Sequence, residues 1–370
     1  MMHPNNHLFP LGGFLALFSL LVFSSLSGAA EPSEATDVEK WVPQQLLPLL
    51  HSREVQSELQ LSAEEMDALL ELFAKVDGPW FRARNLPKDE AFAIISAQEQ
   101  IARQRMRTLL GQKRMRRLQE IEAKAQGARI LLRPEIAKAL DLSEEQQEKL
   151  IVLFAKTESQ AAKNSEAFKK QTITEEMKQK LFDIQSEESP AALKILSPSQ
   201  MGTIAKALGD QFDVKSLKRI YPMAPELESI DAWINSRGLA LSDLRGKVVA
   251  IHFYAAECHN CHANLPIYNE LATAFAEQDF VMIGIHTPEV ASERVLANVE
   301  RRAEEYKINY PVAIDSQSAT WKAWSNTMWP TIYLIDKEGY LRYWWQGELK
   351  WEGATGDEVV KSNIRGLLAE

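Results

Sequence analysis

The 370-residue chain contains two cysteines, and both lie in one short motif, Cys258-His259-Asn260-Cys261. A bridge between them would close so small a loop that it removes little entropy from the unfolded chain, which makes it a poor structural staple. At this spacing the two thiols suit chemistry better. One can attack a disulfide as thiolate, and the other, one turn on, can resolve the mixed disulfide that results. The motif follows a β-rich run, Val248-Val249-Ala250-Ile251-His252-Phe253-Tyr254, and opens a helical stretch carrying Leu265, Tyr268, Leu271 and Phe275. A thiol at a helix N-terminus meets the positive end of the macrodipole and free backbone N–H groups, both of which favour thiolate. Cys258 is therefore expected to be the nucleophile and Cys261 the resolving thiol.

The surrounding pattern supplies a scaffold for that site. Further β-rich runs start at Phe280, Pro311, Thr331 and Tyr340, with helical stretches at 261–277, 291–306 and 357–369. The first two strands are joined by a helix and should be parallel; the last two are joined by the turn Asp336-Lys337-Glu338-Gly339 and should be antiparallel. The expectation is an α/β C-terminal domain, residues 221–370, with a mixed sheet flanked by helices.

Residues 31–220 have a different texture and are expected to form an all-α domain. Three helix starts share one logic: Ser62 with Glu65, Ser143 with Gln146, and Ser197 with Gln200 each match a capping box. A weaker copy near Gly111 places Met115, Leu118 and Ile121 on one face and ends at Gly127. The basic run Arg103, Arg105, Arg107, Lys113, Arg114, Arg116, Arg117 fits a solvated helix face better than a site for an acidic partner or anionic surface. The junction is punctuated by Pro222 and Pro225.

Residues 1–30 hold an uncharged apolar stretch, Leu8 to Leu26, followed by Ser27-Gly28-Ala29-Ala30. This pattern fits a secretory signal peptide or an uncleaved membrane anchor, and either places the remainder outside the cytoplasm, in a periplasmic or secreted setting. With 45% hydrophobic and 25% charged residues, the chain as a whole has the composition of a globular protein. A formal net charge of −9 argues against a dedicated nucleic-acid binder.

A family likeness emerges from several segments together. The run Phe253 to Cys261 resembles the active-site segment of thioredoxin-fold proteins. Leu241-Ser242-Asp243-Leu244-Arg245-Gly246-Lys247 resembles the entry of TlpA/ResA-like domains. Ile283 to Glu289, Tyr310 to Asp315, Ala319-Thr320-Trp321 and Trp329 to Asp336 resemble the thioredoxin-like domain of DipZ-type proteins. The capped helices resemble, over short segments, the repeats of Spy/CpxP-like periplasmic proteins. The likeness implies a thiol–disulfide oxidoreductase that acts on protein disulfides, more as reductase than oxidase. Its redox centre is the Cys258–Cys261 pair itself, with no separate cofactor and no metal, and a membrane electron donor recharges it. It also implies that Pro330 is a cis-proline lying against the dithiol and holding substrate backbone, with Trp329 flanking it. The sequence departs from thioredoxins at two positions. Glu257 stands where a Trp often precedes the first Cys, and His252 stands in place of a buried acid. His252 is either a base for the second thiol or a buried structural histidine. His259, when cationic, would favour thiolate, and Glu257 would oppose it.

Three other readings compete. Cys258-His259-Asn260-Cys261-His262 also matches the C-x-x-C-H attachment signature of c-type haem. Its embedding between a strand and a helix, with Trp329-Pro330-Thr331 downstream, favours the dithiol. Two thiolates with His259 or His262 could hold zinc or copper(I), although no second ligand pair is present. In the third reading the helical region binds a partner and the CxxC domain is a redox-sensitive appendage.

Overall fold

The computed structural model describes Glu39–Glu370 except Gln171, Lys215, Ser216 and residues 218–220. The signal or anchor segment lies outside the described residues. These residues form two compact units, one from residues up to Leu72 with Ala83–Ile220, the other from Phe73–Arg82 with Tyr221–Glu370. Among the described residues no helix is long and apolar enough to cross a membrane.

The first unit is helical: α1 (Leu46–His51), α2 (Arg53–Glu58), the start of α3 (Ala63–Ala83), α4 (Lys88–Gln126), α5 (Pro134–Ala139), α6 (Glu144–Lys169), α7 (Glu175–Ile195) and α8 (Pro198–Leu208). All three expected capping boxes form. Ser62, Ser143 and Ser197 each accept the N–H of the residue three positions on with the side-chain hydroxyl, and each donates its own N–H to that residue's side chain. Satisfying orphan N–H groups at a helix start is worth about 1 kcal/mol per cap. The helix expected near Gly111 in fact begins at Lys88 and runs through Gly111, which breaks its backbone with φ +66°. Only a residue without Cβ adopts that conformation readily. Met115, Leu118 and Ile121 are buried beyond the break, and Gly127 caps the end. The basic run is largely paired within its own unit. Arg103 forks onto Glu122, Arg114 onto Glu65, and Arg117 bonds Glu58 and Glu120.

The second unit is built on one six-stranded sheet. In chain order its elements are β1 (Ala232–Ile234), β2 (Val248–Tyr254), α9 (His259–Ala274), β3 (Phe280–His286), α10 (Leu296–Glu305), β4 (Val312–Ile314), α11 (Ala319–Ala323), β5 (Thr331–Ile335), β6 (Leu341–Gln346) and α12 (Gly356–Ala369). The strand order is β1-β4-β3-β2-β5-β6. As expected, β2 and β3 are parallel, and β5 and β6 are antiparallel. β2 is central and buried along its whole length, which explains its unbroken apolar run. On one sheet face Val248, Ala250 and Tyr254 pack with Leu265, Tyr268 and Leu271 of α9, Val299 and Ala303 of α10, and Val360, Ile364 and Leu367 of α12. On the other face Val249, Ile251 and Phe253 pack with Leu241, Leu244, Trp324 and Phe81. Phe81 belongs to the Phe73–Arg82 segment, which joins this unit although it lies within the stretch expected to be helical-domain sequence. Its ring stands edge-on to Trp324 and Tyr333.

Candidate active site

The site forms where β2 ends. Its two neighbours there run in opposite directions, β3 parallel and β5 antiparallel, so the loop after β2 emerges between a crossover and a hairpin. Such a point at the carboxyl end of a sheet is where ligand sites of open α/β folds collect. Cys258 is the N-cap of α9, with its side chain making no cap bond, and Cys261 and His262 donate their N–H groups to its carbonyl. Cys258 thus stands at the N-terminal end of the helix, where the macrodipole is positive. Cys258 and Cys261 are joined as a disulfide, with Cα atoms 5.3 Å apart. Cys258 is 8% exposed and Cys261 1%, so Cys258 is the more exposed of the two.

The hairpin side supplies Pro330 and Trp329. Phe253 pairs with Thr331, so both residues sit at the same end of the sheet as the cysteines. The Trp329–Pro330 peptide bond is cis. Trp329 is partly buried, and its ring lies 4.3 Å from that of Trp321. Asn264 braces the helix against the end of β6: it donates to the Gly347 carbonyl and accepts the Leu349 N–H.

His252 lies on the α9 face of β2, fully buried. Its ring packs at 4.4 Å from Tyr268, 5.1 Å from Tyr254 and 5.4 Å from Tyr310. Burial pushes its pKa down to about 3, so the imidazole is neutral through the physiological range. Neither ring nitrogen has a hydrogen-bond partner among the described residues. Space for the ring comes from Gly284, its partner on β3, where a Cβ would stand 3.0 Å from Nε2.

The two charges next to the motif are not symmetric. His259 is exposed. Glu257 is also exposed but is gripped by Arg302, whose Nε and Nη2 donate to its two carboxylate oxygens at 2.9 and 2.6 Å. That fork, first by hydrogen bonding and then by charge, holds the Glu257 pKa below the usual range. His262 bonds the Ala256 carbonyl through Nε2 at 2.8 Å and stacks on Tyr306, which occupies the nitrogen a haem iron would need. Among the described residues no group of three or more His, Cys, Asp or Glu side chains is placed to hold a metal ion.

One further acid was not legible in the sequence. Glu293 follows β3 by seven residues, is 2% exposed, and accepts the Glu257 N–H at 2.7 Å with Oε1. Its Oε2 accepts the N–H groups of Glu289 and Val290 at 2.7 and 2.8 Å. His286 Nε2 stands 3.8 Å from Oε1. Burial would raise this carboxyl's pKa, but the His286 ring and the three N–H donors outweigh it and hold it at about 2. Spacing alone could not identify Glu293 or Arg302, because both meet the motif across 36 and 45 residues of chain.

Residues 223–344 match the AhpC/TSA family. The second unit carries a thioredoxin-like domain of this kind. Protein DipZ of Mycobacterium bovis is 41% identical over 149 residues, 39% of this chain and 20% of that protein. The chain therefore spans about a fifth of the length of the DipZ proteins it matches. Thiol-disulfide oxidoreductase YkuV of Bacillus subtilis is 28% identical over 154 residues, 42% of this chain and 99% of that protein. A crystal structure of a thiol-disulfide isomerase from Corynebacterium glutamicum is 28% identical, covering 40% of this chain and 97% of its own, with a TM-score of 0.34.

Proposed function

We propose that this protein is an extracytoplasmic thiol–disulfide oxidoreductase that reduces protein disulfides through Cys258 and Cys261. The observation that carries the reading is the position of Cys258, the more exposed cysteine, at the N-cap of α9 and bonded to Cys261. Similarity to DipZ and YkuV supports it.

In the reduced protein the Cys258 thiolate attacks one sulfur of a substrate disulfide. A Cys258–substrate S–S bond forms as the substrate S–S bond breaks, and the displaced substrate sulfur takes a proton. Cys261 then loses its proton and attacks the Cys258 sulfur. The Cys258–Cys261 bond closes, and the second substrate sulfur leaves as a thiol. Two electrons and two protons pass to the substrate. An external dithiol, supplied by a membrane electron donor, reverses the same steps and restores the reduced protein. Pro330 and Trp329 flank the dithiol and hold extended substrate backbone. His252 stays neutral and adds no charge beneath the site, while His259 is free to approach the substrate. The N-terminal segment exports or tethers the chain, and the boundary of the redox domain falls near residue 221.

The test is reduction of a disulfide-bonded protein by the pre-reduced protein. Cys258→Ser should abolish it, and Cys261→Ser should accumulate a mixed disulfide visible by mass spectrometry. Undiminished exchange by Cys258→Ser would overturn the reading.

A further inference from the structure

We propose that Glu293 is a positioning residue whose buried charge biases the Cys258–Cys261 pair toward the disulfide and so makes the reduced pair a stronger electron donor. The inference rests on the exchange function proposed above and assigns the origin of its direction. Glu293 is bonded to the backbone N–H of Glu257, the residue immediately before the nucleophile. The same carboxylate ties down Glu289 and Val290 on the loop after β3, so its position relative to the start of α9 is fixed from two sides.

Electrostatics give the sign. The N-terminus of α9 stabilises a Cys258 thiolate, and thiolate stabilisation favours the reduced form and makes a disulfide more oxidising. A fixed anion bonded to the backbone N–H of the preceding residue acts against that. The charged neighbours do not cancel it in the same manner. Arg302 is engaged by Glu257 and Glu305, the exposed acid on the other side of the loop and one on its own helix. The His286 ring stands 3.8 Å from the Glu293 carboxylate, and the Tyr254 hydroxyl is held protonated, first by burial and then by the Glu293 charge itself. Glu293 is thus the buried charge that opposes the helix dipole, and Glu257, in its fork with Arg302, is the compensated one.

The test is the equilibrium of the full-length protein with glutathione redox buffers at a fixed pH above the Cys258 pKa, where the reduced pair carries the thiolate, read by alkylation of the thiols. Glu293→Gln keeps the shape and one acceptor oxygen but removes the charge. It should shift the equilibrium about tenfold toward the dithiol, which corresponds to about 30 mV. Glu293→Asp keeps the charge and should stay within about twofold of the parent. Equal shifts in both variants would mean that loop geometry acts rather than charge, and no shift in Glu293→Gln would mean that neither acts; both overturn the proposal. Should Glu293→Gln not fold, titration of Cys258 in the reduced parent decides. A pKa at or above the ordinary thiol value of about 8.5 supports the proposal, and one below that value overturns it. Failure here is distinguishable from failure of the proposed function. A parent that reduces protein disulfides while Glu293→Gln leaves the glutathione equilibrium unmoved sinks only the role of Glu293. A parent that cannot reduce them sinks the function, whatever the variant does.

Discussion

Glu99 in the helical unit and Glu293 in the redox unit are both buried carboxyls, yet they are driven in opposite directions. Burial, reinforced by the charge of Glu122, pushes Glu99 up to about 7 against the opposing N–H of Leu46 and the charge of Arg103. Glu293 suffers the same burial, but three backbone N–H groups and the His286 ring bring it down to about 2. The residue type is shared and both side chains are buried; Glu99 has a like charge beside it, and Glu293 has more donors aimed at its oxygens. The contrast extends to the units. In the helical unit, charged and polar side chains mostly meet one another in capping boxes and Arg–Glu forks. Beneath the CxxC helix, both nitrogens of His252 and of His286 and the hydroxyls of Tyr254 and Tyr310 lack hydrogen-bond partners among the described residues. One region uses polarity to hold its fold, and the other keeps polarity in reserve close to its dithiol.

The strongest way to break that contrast is at Arg129. Its guanidinium forks onto Glu188, bonds Glu158 and the Trp41 carbonyl, and lies over the Phe154 ring. Arg129→Ala strands a buried carboxylate at Glu188, and removing one partner of a buried pair costs about 4 kcal/mol. Denaturant unfolding should show that loss, while the glutathione equilibrium of the dithiol should stay unchanged. A shift in the redox equilibrium comparable with that of Glu293→Gln would mean that the two kinds of polar network are not separable.

The next largest effect concerns pH. Glu99 titrates near 4.5 when unfolded and at about 7 when folded, so between those values the folded state binds the extra proton. Stability from this residue is therefore full below about pH 4.5 and lost as pH rises to about 7, an effect of about 3 kcal/mol. Glu293 has the opposite sign: its contribution is present above about pH 4.5 and lost as pH falls to about 2. Glu99→Gln should remove the neutral-range slope, leaving the variant more stable than the parent at pH 8 and without that advantage at pH 5. Parallel stability–pH curves for parent and variant would show that Glu99 is ionised at neutrality after all.

How far the sequence foretold these features depended on the range of the interaction. The capping boxes were legible because Ser62, Ser143 and Ser197 meet partners three residues away. The apolar runs marked β2, β3 and β5 because buried strands leave continuous hydrophobic stretches. β1 escaped notice because three residues, Ala232–Ile234, form too short a pattern to stand out. The cysteines announced themselves by type and spacing, and their station at the start of a helix followed from the strand before them. Glu257 appeared as an open charge beside Cys258, since nothing at positions 300–305 indicated that Arg302 would reach back to it. Glu293 was one acid among many until the fold of the β3 loop brought its oxygens to the Glu257 N–H. Local rules reveal caps and strands; the charges that tune the dithiol depend on tertiary register.

The finest distinction within the redox unit lies between Glu257 and Glu293 themselves. Both are anions beside Cys258, but one is exposed and matched with Arg302 while the other is buried. Arg302→Gln releases Glu257 from its fork and should move the glutathione equilibrium about twofold toward the disulfide, the modest scale expected of a solvent-exposed pair. Salt then separates the two acids. An exposed charge is screened over roughly 8 Å at physiological ionic strength, so the Arg302→Gln shift should vanish in about 1 M salt. The shift from Glu293→Gln should persist there, because the buried carboxylate is poorly reached by counterions. If both shifts faded together, Glu293 would be acting through solvent like Glu257, and burial would not be the feature that sets the donor strength of this dithiol.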